Sequence, residues 1–224
     1  QVMVPELVLQ ERDTDRESAA LKEVALALLQ FTPELTPASE STLLMDVTAS
    51  LSVFGGRLGL CRRVRHSLQV LGYSARMGMA PTAQAAWLFA HQRIRRRVVT
   101  MASMKSQLDR LPWQTLPQAA RHADWLEGIG CQTLADLRRL PRAGLKRRTD
   151  LALLDTLDRA YGEAPEMFEW MAAPPSFSAM LELPYRMEHA AQLLQAAHRL
   201  LLQLTGWLSA HQRAVASLSL LLEH

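Results

Sequence analysis

An α+β fold is what this 224-residue sequence predicts, on three observations. Helical and strand periods alternate through the first hundred residues. From Ser103 onward, short helical stretches are broken by Pro112, Pro117, Gly128, Gly130, Pro141 and Gly144. After Pro174-Pro175 a long helical pattern runs into a final strand-like segment. The composition, 49% hydrophobic and 21% charged, suits a globular chain and excludes disorder. No apolar run reaches the ~18 to 20 residues of a membrane-spanning helix. Cys61 and Cys131 stand far apart, which excludes a disulfide-stapled scaffold, and no CxxC or HExxH spacing offers zinc its usual ligands.

The elements follow in order. Thr14-Asp15-Arg16-Glu17 reads as a capping box, with Leu21, Val24, Ala25, Leu28 and Leu29 at helical spacing behind it, so residues 15–30 are predicted helical. Pro33 ends that helix, because it disfavours helical geometry at Thr32. Leu43 to Thr48 reads as a buried strand that takes Asp46 inside with it, and Phe54-Gly55-Gly56 as a turn. Leu60, Val64, Leu68 and Leu71 mark one face of a second helix, with Arg62, Arg63 and Arg65 on the other. Tyr73 to Met79 alternates at period two and predicts a strand; residues 83–91 predict a helix and Arg96 to Met101 another strand. A small all-helical module is expected next. Beyond the Pro174-Pro175 linker come a strand near Phe177–Leu183, a helix with Leu193, Leu194, Ala197, Leu201, Leu204 and Leu208 inward, and a last strand over Ala214–Leu222. The five tryptophans fall mostly at core positions. The opening on Gln1 and the closing Leu222-Glu223-His224 read as a fragment that ends in a purification-tag stub.

The formal charge of +3 hides an asymmetry. Residues 51–100 carry nine bases and no acid, and residues 101–150 carry nine bases against five acids. A block of that sign suits a phosphate-binding surface, since each base that neutralises a phosphate releases counterions. Of the 25 bases 22 are Arg, which suits bidentate phosphate contacts and follows equally from a GC-rich genome.

Two candidate contact sets stand out. Arg93, Arg95, Arg96 and Arg97 form the densest basic cluster, whose plain alternative is a strand edge protected by charge. Gly128-Ile129-Gly130, between Leu126 and the helical Leu134–Leu140, fits the hairpin of a helix-hairpin-helix element whose glycines present N–H groups to a phosphate. An ordinary inter-helix turn fits it too. Arg138, Arg139, Arg142, Lys146, Arg147 and Arg148 follow within twenty residues. Asp46 suits either a metal ligand or a hydrogen-bonded strand residue.

Three motifs meet a family. Ser39-Glu40-Ser41-Thr42-Leu43-Leu44-Met45-Asp46-Val47-Thr48, with Phe54-Gly55-Gly56 behind it, resembles the S-x-D-E-A-F/Y-L-D-V-T motif of Y-family translesion DNA polymerases. Gly78-Met79-Ala80-Pro81-Thr82-Ala83 through Ala90 resembles that family's palm segment, and Leu126-Glu127-Gly128-Ile129-Gly130 resembles its thumb hairpin. The likeness implies a partial palm over 1–101, a helical thumb over 102–172 and the start of a little finger over 173–224. The departures carry as much information. The family's metal-binding Asp-Glu pair falls on Ser41 and Thr42, and two neutral hydroxyls do not replace two carboxylates around hard divalent cations. The two triphosphate-binding lysines fall on Ala83 and Trp87, and the first acidic motif would precede Gln1.

That pattern is similar to a non-catalytic, polymerase-like branch of the family. The resemblance implies a cytoplasmic, nucleoid-associated scaffold without cofactor, metal or catalytic residues. It implies as partners primer-template DNA, an ImuA-type protein, the sliding clamp through residues beyond Leu222, and an error-prone C-family polymerase. The implied DNA contacts are Arg93, Arg95, Arg96, Arg97, Gly128, Gly130, Arg138, Arg139, Lys146, Arg147 and Arg148. Two alternatives stay open: an active polymerase using Glu40 and Asp46 as substitute ligands, and a pure protein-interaction scaffold.

Overall fold

The structure is a computed structural model that describes residues 11–39, 41–92, 97–183 and 189–222. The order is α1 (Thr14–Leu28), β1 (Leu35–Ser39), β2 (Thr42–Met45), α2 (Gly56–Val70), α3 (Ala83–Ala90) and α4 (Met101–Leu108). Two 3-10 turns (Trp113–Thr115 and Pro117–His122) lead into α5 (Ala123–Gly128), α6 (Leu134–Arg139), α7 (Arg142–Arg148), α8 (Leu151–Tyr161) and α9 (Ala190–Ala210). They form two compact units: Gln1–Tyr73 with Glu169–His224, and Ser74–Phe168. This division follows packing, whereas the boundaries at 101/102 and 172/173 follow motif order. Among the described residues, helices with one small antiparallel sheet agree with an α+β class.

In the first unit α1 buries Val24, Ala25, Ala27 and Leu28. Its N-cap is Asp13, whose carboxylate accepts from the Arg16 N–H at 2.9 Å; the expected Thr14 cap is displaced because Glu17 turns back to Arg12 at 2.6 Å. α9 lies against α1 so closely that a Cβ on Gly206 would stand 1.8 Å from the Leu26 carbonyl oxygen. α9 therefore turns Gln203, Gly206 and Trp207 inward, and the expected inward residues Leu194 and Leu201 face solvent. Trp207 donates to the Pro174 carbonyl at 2.7 Å, and Trp170 is exposed.

The sheet is a hairpin, with Leu35 opposite Met45, Thr36 opposite Leu44, and a bulge between Pro37 and Ser39. β1 carries Pro37, which reads as a breaker in sequence but is tolerated on an edge strand. β2 starts at Thr42 and stops at Met45, so Asp46 lies outside it and is exposed. The Asp46 carboxylate instead accepts from the Thr48 N–H at 2.9 Å, correcting the reading of a buried acid.

Among the described residues the other expected strands form no ladders. Of the expected strands Tyr73–Met79 and Arg96–Met101, the described residues show one parallel bridge, between Met79 and Arg97; Arg96 lies outside them, and Met101 already opens α4. Phe177–Leu183 and Ala214–Leu222 carry no ladder either, since no described strand pairs with them. Alternation makes a strand possible; a paired neighbour makes it stable.

The second unit closes on one apolar core that includes Phe89, Trp113, Leu116, Leu126, Leu137 and Tyr161. Trp113 donates its indole N–H to the Cys131 carbonyl at 2.9 Å, satisfying the one polar atom it takes inside. Both cysteines are buried and free, and burial pushes the Cys131 thiol above its ordinary pKa. Helix α8 runs from its Asp150 cap, which accepts from Leu153 N–H at 2.9 Å, to a left-handed Gly162.

Candidate nucleic-acid interface

The chain between α5 and α7 sets the geometry of the basic surface. α5 ends in a left-handed Gly130 (φ +73°), a conformation that a Cβ penalises. The backbone donors there are spent inside the protein. Ile129 N–H donates to Trp125 O, Gly130 N–H to Glu127 O and Cys131 N–H to Leu126 O, at 2.9 to 3.2 Å. Gln132 and Thr133 N–H both donate to the Asp136 carboxylate, at 3.3 and 3.0 Å. The glycine hairpin thus presents none of these N–H groups outward, which corrects the expectation that it aims them at a phosphate. What it does offer is open surface: a Cβ on Gly128 or Gly130 would meet nothing within 4 Å.

Thr133 and Asp136 cap α6 reciprocally. Hydrogen bonds from the Thr133 side chain and backbone, then from Gln132, hold the Asp136 carboxyl below its ordinary pKa. At the far end of α6 the two candidate arginines are engaged. Arg138 lies 4.4 Å above the Tyr161 ring and reaches Asp109 at 3.7 Å and Glu163 at 3.5 Å. Tyr161 donates to Asp109 at 2.7 Å; burial, then this acceptor, drives its phenol well above the ordinary range. Arg139 stands 3.5 Å from Asp136 but remains largely exposed. Arg142 forks onto Asp158 at 2.8 and 2.5 Å.

The last turn of α7 differs. Lys146, Arg147 and Arg148 are exposed, and none pairs with an acid among the described residues; the Arg147 Nε donates to Ala143 O on its own helix. These three side chains are the part of the hairpin set that stays available to an external anion. In the other set, Arg93, Arg95 and Arg96 lie outside the described residues, and Arg97 is half-buried at the bridge to Met79.

The positions expected for metal and triphosphate ligands are also defined. Ser41 sits exposed in the hairpin turn, and Thr42 opens β2 opposite Ser39. Glu40 lies outside the described residues. Among the described residues no three His, Cys, Asp or Glu side chains come together as a metal site. Ala83 begins α3, whose first N–H groups are taken by Glu166: its carboxylate accepts from Ala83 at 2.8 Å and from Gln84 at 2.7 Å. Thr82 accepts from Ala85 N–H at 3.2 Å, so this helix start carries an internal anion and a hydroxyl cap. Trp87 stacks on His91 with ring centroids 3.9 Å apart. Glu166 escaped the sequence reading because its partners lie 83 and 82 residues away and nothing local marks it.

Comparison with known proteins gives first a class. Residues 1–91 match the impB/mucB/samB family, covering the β1–β2 hairpin, α2 and α3. Two curated relatives, Protein ImuB from two strains of Caulobacter vibrioides, are each 27% identical over 164 residues, which is 73% of this chain and 36% of theirs. The chain is similar to these ImuB proteins over that stretch, and it spans about a third of their length. No helix among the described residues is long and apolar enough to cross a membrane.

Proposed function

We propose that this chain is a non-catalytic, Y-family polymerase-like scaffold that binds DNA during damage-induced translesion synthesis and mutagenesis. The observation that carries the reading is Ser41-Thr42 at the place where the motif requires two carboxylates. Phosphoryl transfer by this class depends on divalent cations bridging the phosphates, and two neutral hydroxyls do not replace a pair of carboxylates in holding them. Glu166 on the start of α3 supports the same reading: a carboxylate stands where a triphosphate would need cationic help. DNA binding rests on Lys146, Arg147 and Arg148, with Arg93, Arg95, Arg96, Arg97 and Arg139 as further candidates. Such contacts fix position and carry little sequence information. Palm, thumb and little-finger roles for 1–101, 102–172 and 173–224 belong to this reading. So does recruitment of an error-prone C-family polymerase, with an ImuA-type partner, at the sliding clamp.

The test pairs two assays, run on this chain and on a chain extended to the length of its relatives. Primer extension with magnesium or manganese should give no incorporation. Template-dependent incorporation abolished by Asp46→Ala would establish an active polymerase instead. Binding to primer-template DNA should weaken steeply with salt, and an isotherm indifferent to salt would favour a protein-only scaffold.

A further inference from the structure

Helix α2 is a second cationic surface, on the other compact unit. It has no acidic residue along its fifteen positions. Leu60, Cys61, Val64, Ser67 and Leu68 face inward. At 3.6 residues per turn, Leu58, Arg62, Arg65, His66 and Gln69 share the opposite face. Arg62 and Arg63 are exposed and Arg65 is half-buried, and among the described residues no carboxylate pairs with any of the three. Arg138, Arg142 and Arg159 in the second unit, by contrast, each have an acid within 4 Å. The Arg63 guanidinium rests 5.9 Å from the centre of the Phe54 ring, and Phe54 packs edge-on against Phe31 at 5.2 Å. A cation stacked in this way is held in place before any ligand arrives.

We infer that the outer face of α2, through Arg62, Arg65 and the stacked Arg63, binds the phosphate backbone of duplex DNA. Uncompensated like charges three residues apart repel one another on a helix, and an external polyanion relieves that repulsion. The face is wrong for a protein partner, because interface cores are built on apolar and aromatic anchors and this one exposes a single leucine, Leu58. From Arg62 to Gln69 the helix rises about 10 Å, roughly three steps of the duplex axis. The inference rests on the DNA-binding reading above and adds to it a contact surface that the hairpin and α7 do not supply.

The test measures duplex binding by fluorescence anisotropy between ~50 and ~200 mM potassium chloride. The full chain is compared with Arg62→Ala/Arg65→Ala, Arg62→Lys/Arg65→Lys, Arg16→Ala and Lys146→Ala/Arg147→Ala/Arg148→Ala, each checked for its helical circular dichroism. The expected result is a log K against log salt slope flattened by about 2 in the α2 alanine pair. The lysine pair and Arg16→Ala should keep the wild-type slope. An unchanged slope in the alanine pair overturns the inference while leaving the DNA-binding reading intact. A slope lowered equally by Arg16→Ala overturns it as a general charge effect. Equal competition by poly-glutamate at matched charge overturns it in favour of an acidic protein. Failure of the DNA-binding reading looks different: the wild type binds no duplex in low salt.

Discussion

At Gly206 a single missing methyl sets the distance between α1 and α9. A Cβ there would overlap the Leu26 carbonyl, and backbone cannot swing aside as a long side chain does. Gly206→Ala should destabilise the first unit by about 1 to 3 kcal/mol, lowering Tm by roughly 3 to 10 °C in a thermal melt. A melt within a degree of wild type would mean that the helices separate freely. Asp136 makes a prediction in pH. Its folded pKa lies below the ordinary aspartate value of 3.8, so its capping contribution is present above that value and lost as pH falls through the folded one. Melts from pH 7 downward should show an acid-side loss that Asp136→Asn lacks, the two proteins converging at the lowest pH. Glu166→Ala should cost about 1 to 3 kcal/mol by stranding two N–H groups at the start of α3, and chemical denaturation reads this directly.

Among the elements, the α5–α6 turn and α7 separate two effects that sequence alone merges. Gly130→Val should cost about 1 to 2 kcal/mol through its positive φ and leave the salt slope of DNA binding unchanged, because the hairpin N–H groups serve the turn itself. Lys146→Ala/Arg147→Ala/Arg148→Ala should do the reverse, keeping stability and flattening the slope by about 2 to 3. Helices were legible because their information is local. Leu60, Val64 and Leu68 write out the buried face of α2, and Thr82 announces α3. Strands were not, because pairing is supplied from elsewhere. β1 hides behind Pro33 and Pro37, while Tyr73–Met79 alternates convincingly and among the described residues makes a single bridge. The candidate site divides along the same line. Exposure of Lys146 to Arg148 follows from a short amphipathic helix, whereas the capture of Arg138 depends on Asp109 and Glu163, which only folding brings near.

For the whole molecule, the non-catalytic reading proposed above predicts that more than one pair of acids separates this chain from polymerase activity. Ser41→Asp/Thr42→Glu should yield at most metal binding and no sustained polymerisation. Ala83 and Trp87 supply no cation, and Glu166 stands at the helix start. Vigorous extension by that double variant would show that the acids alone were missing. The discontinuous first unit has a consequence for synthesis on the ribosome. All of Ser74–Phe168 has been made before the strand of chain that completes the first unit appears. At roughly 5 to 20 residues per second, α1 can pack on β1 and α2 almost at once but waits about 10 to 30 s for α9. The first unit therefore closes only after the whole of the second has been made, when α9 reaches α1.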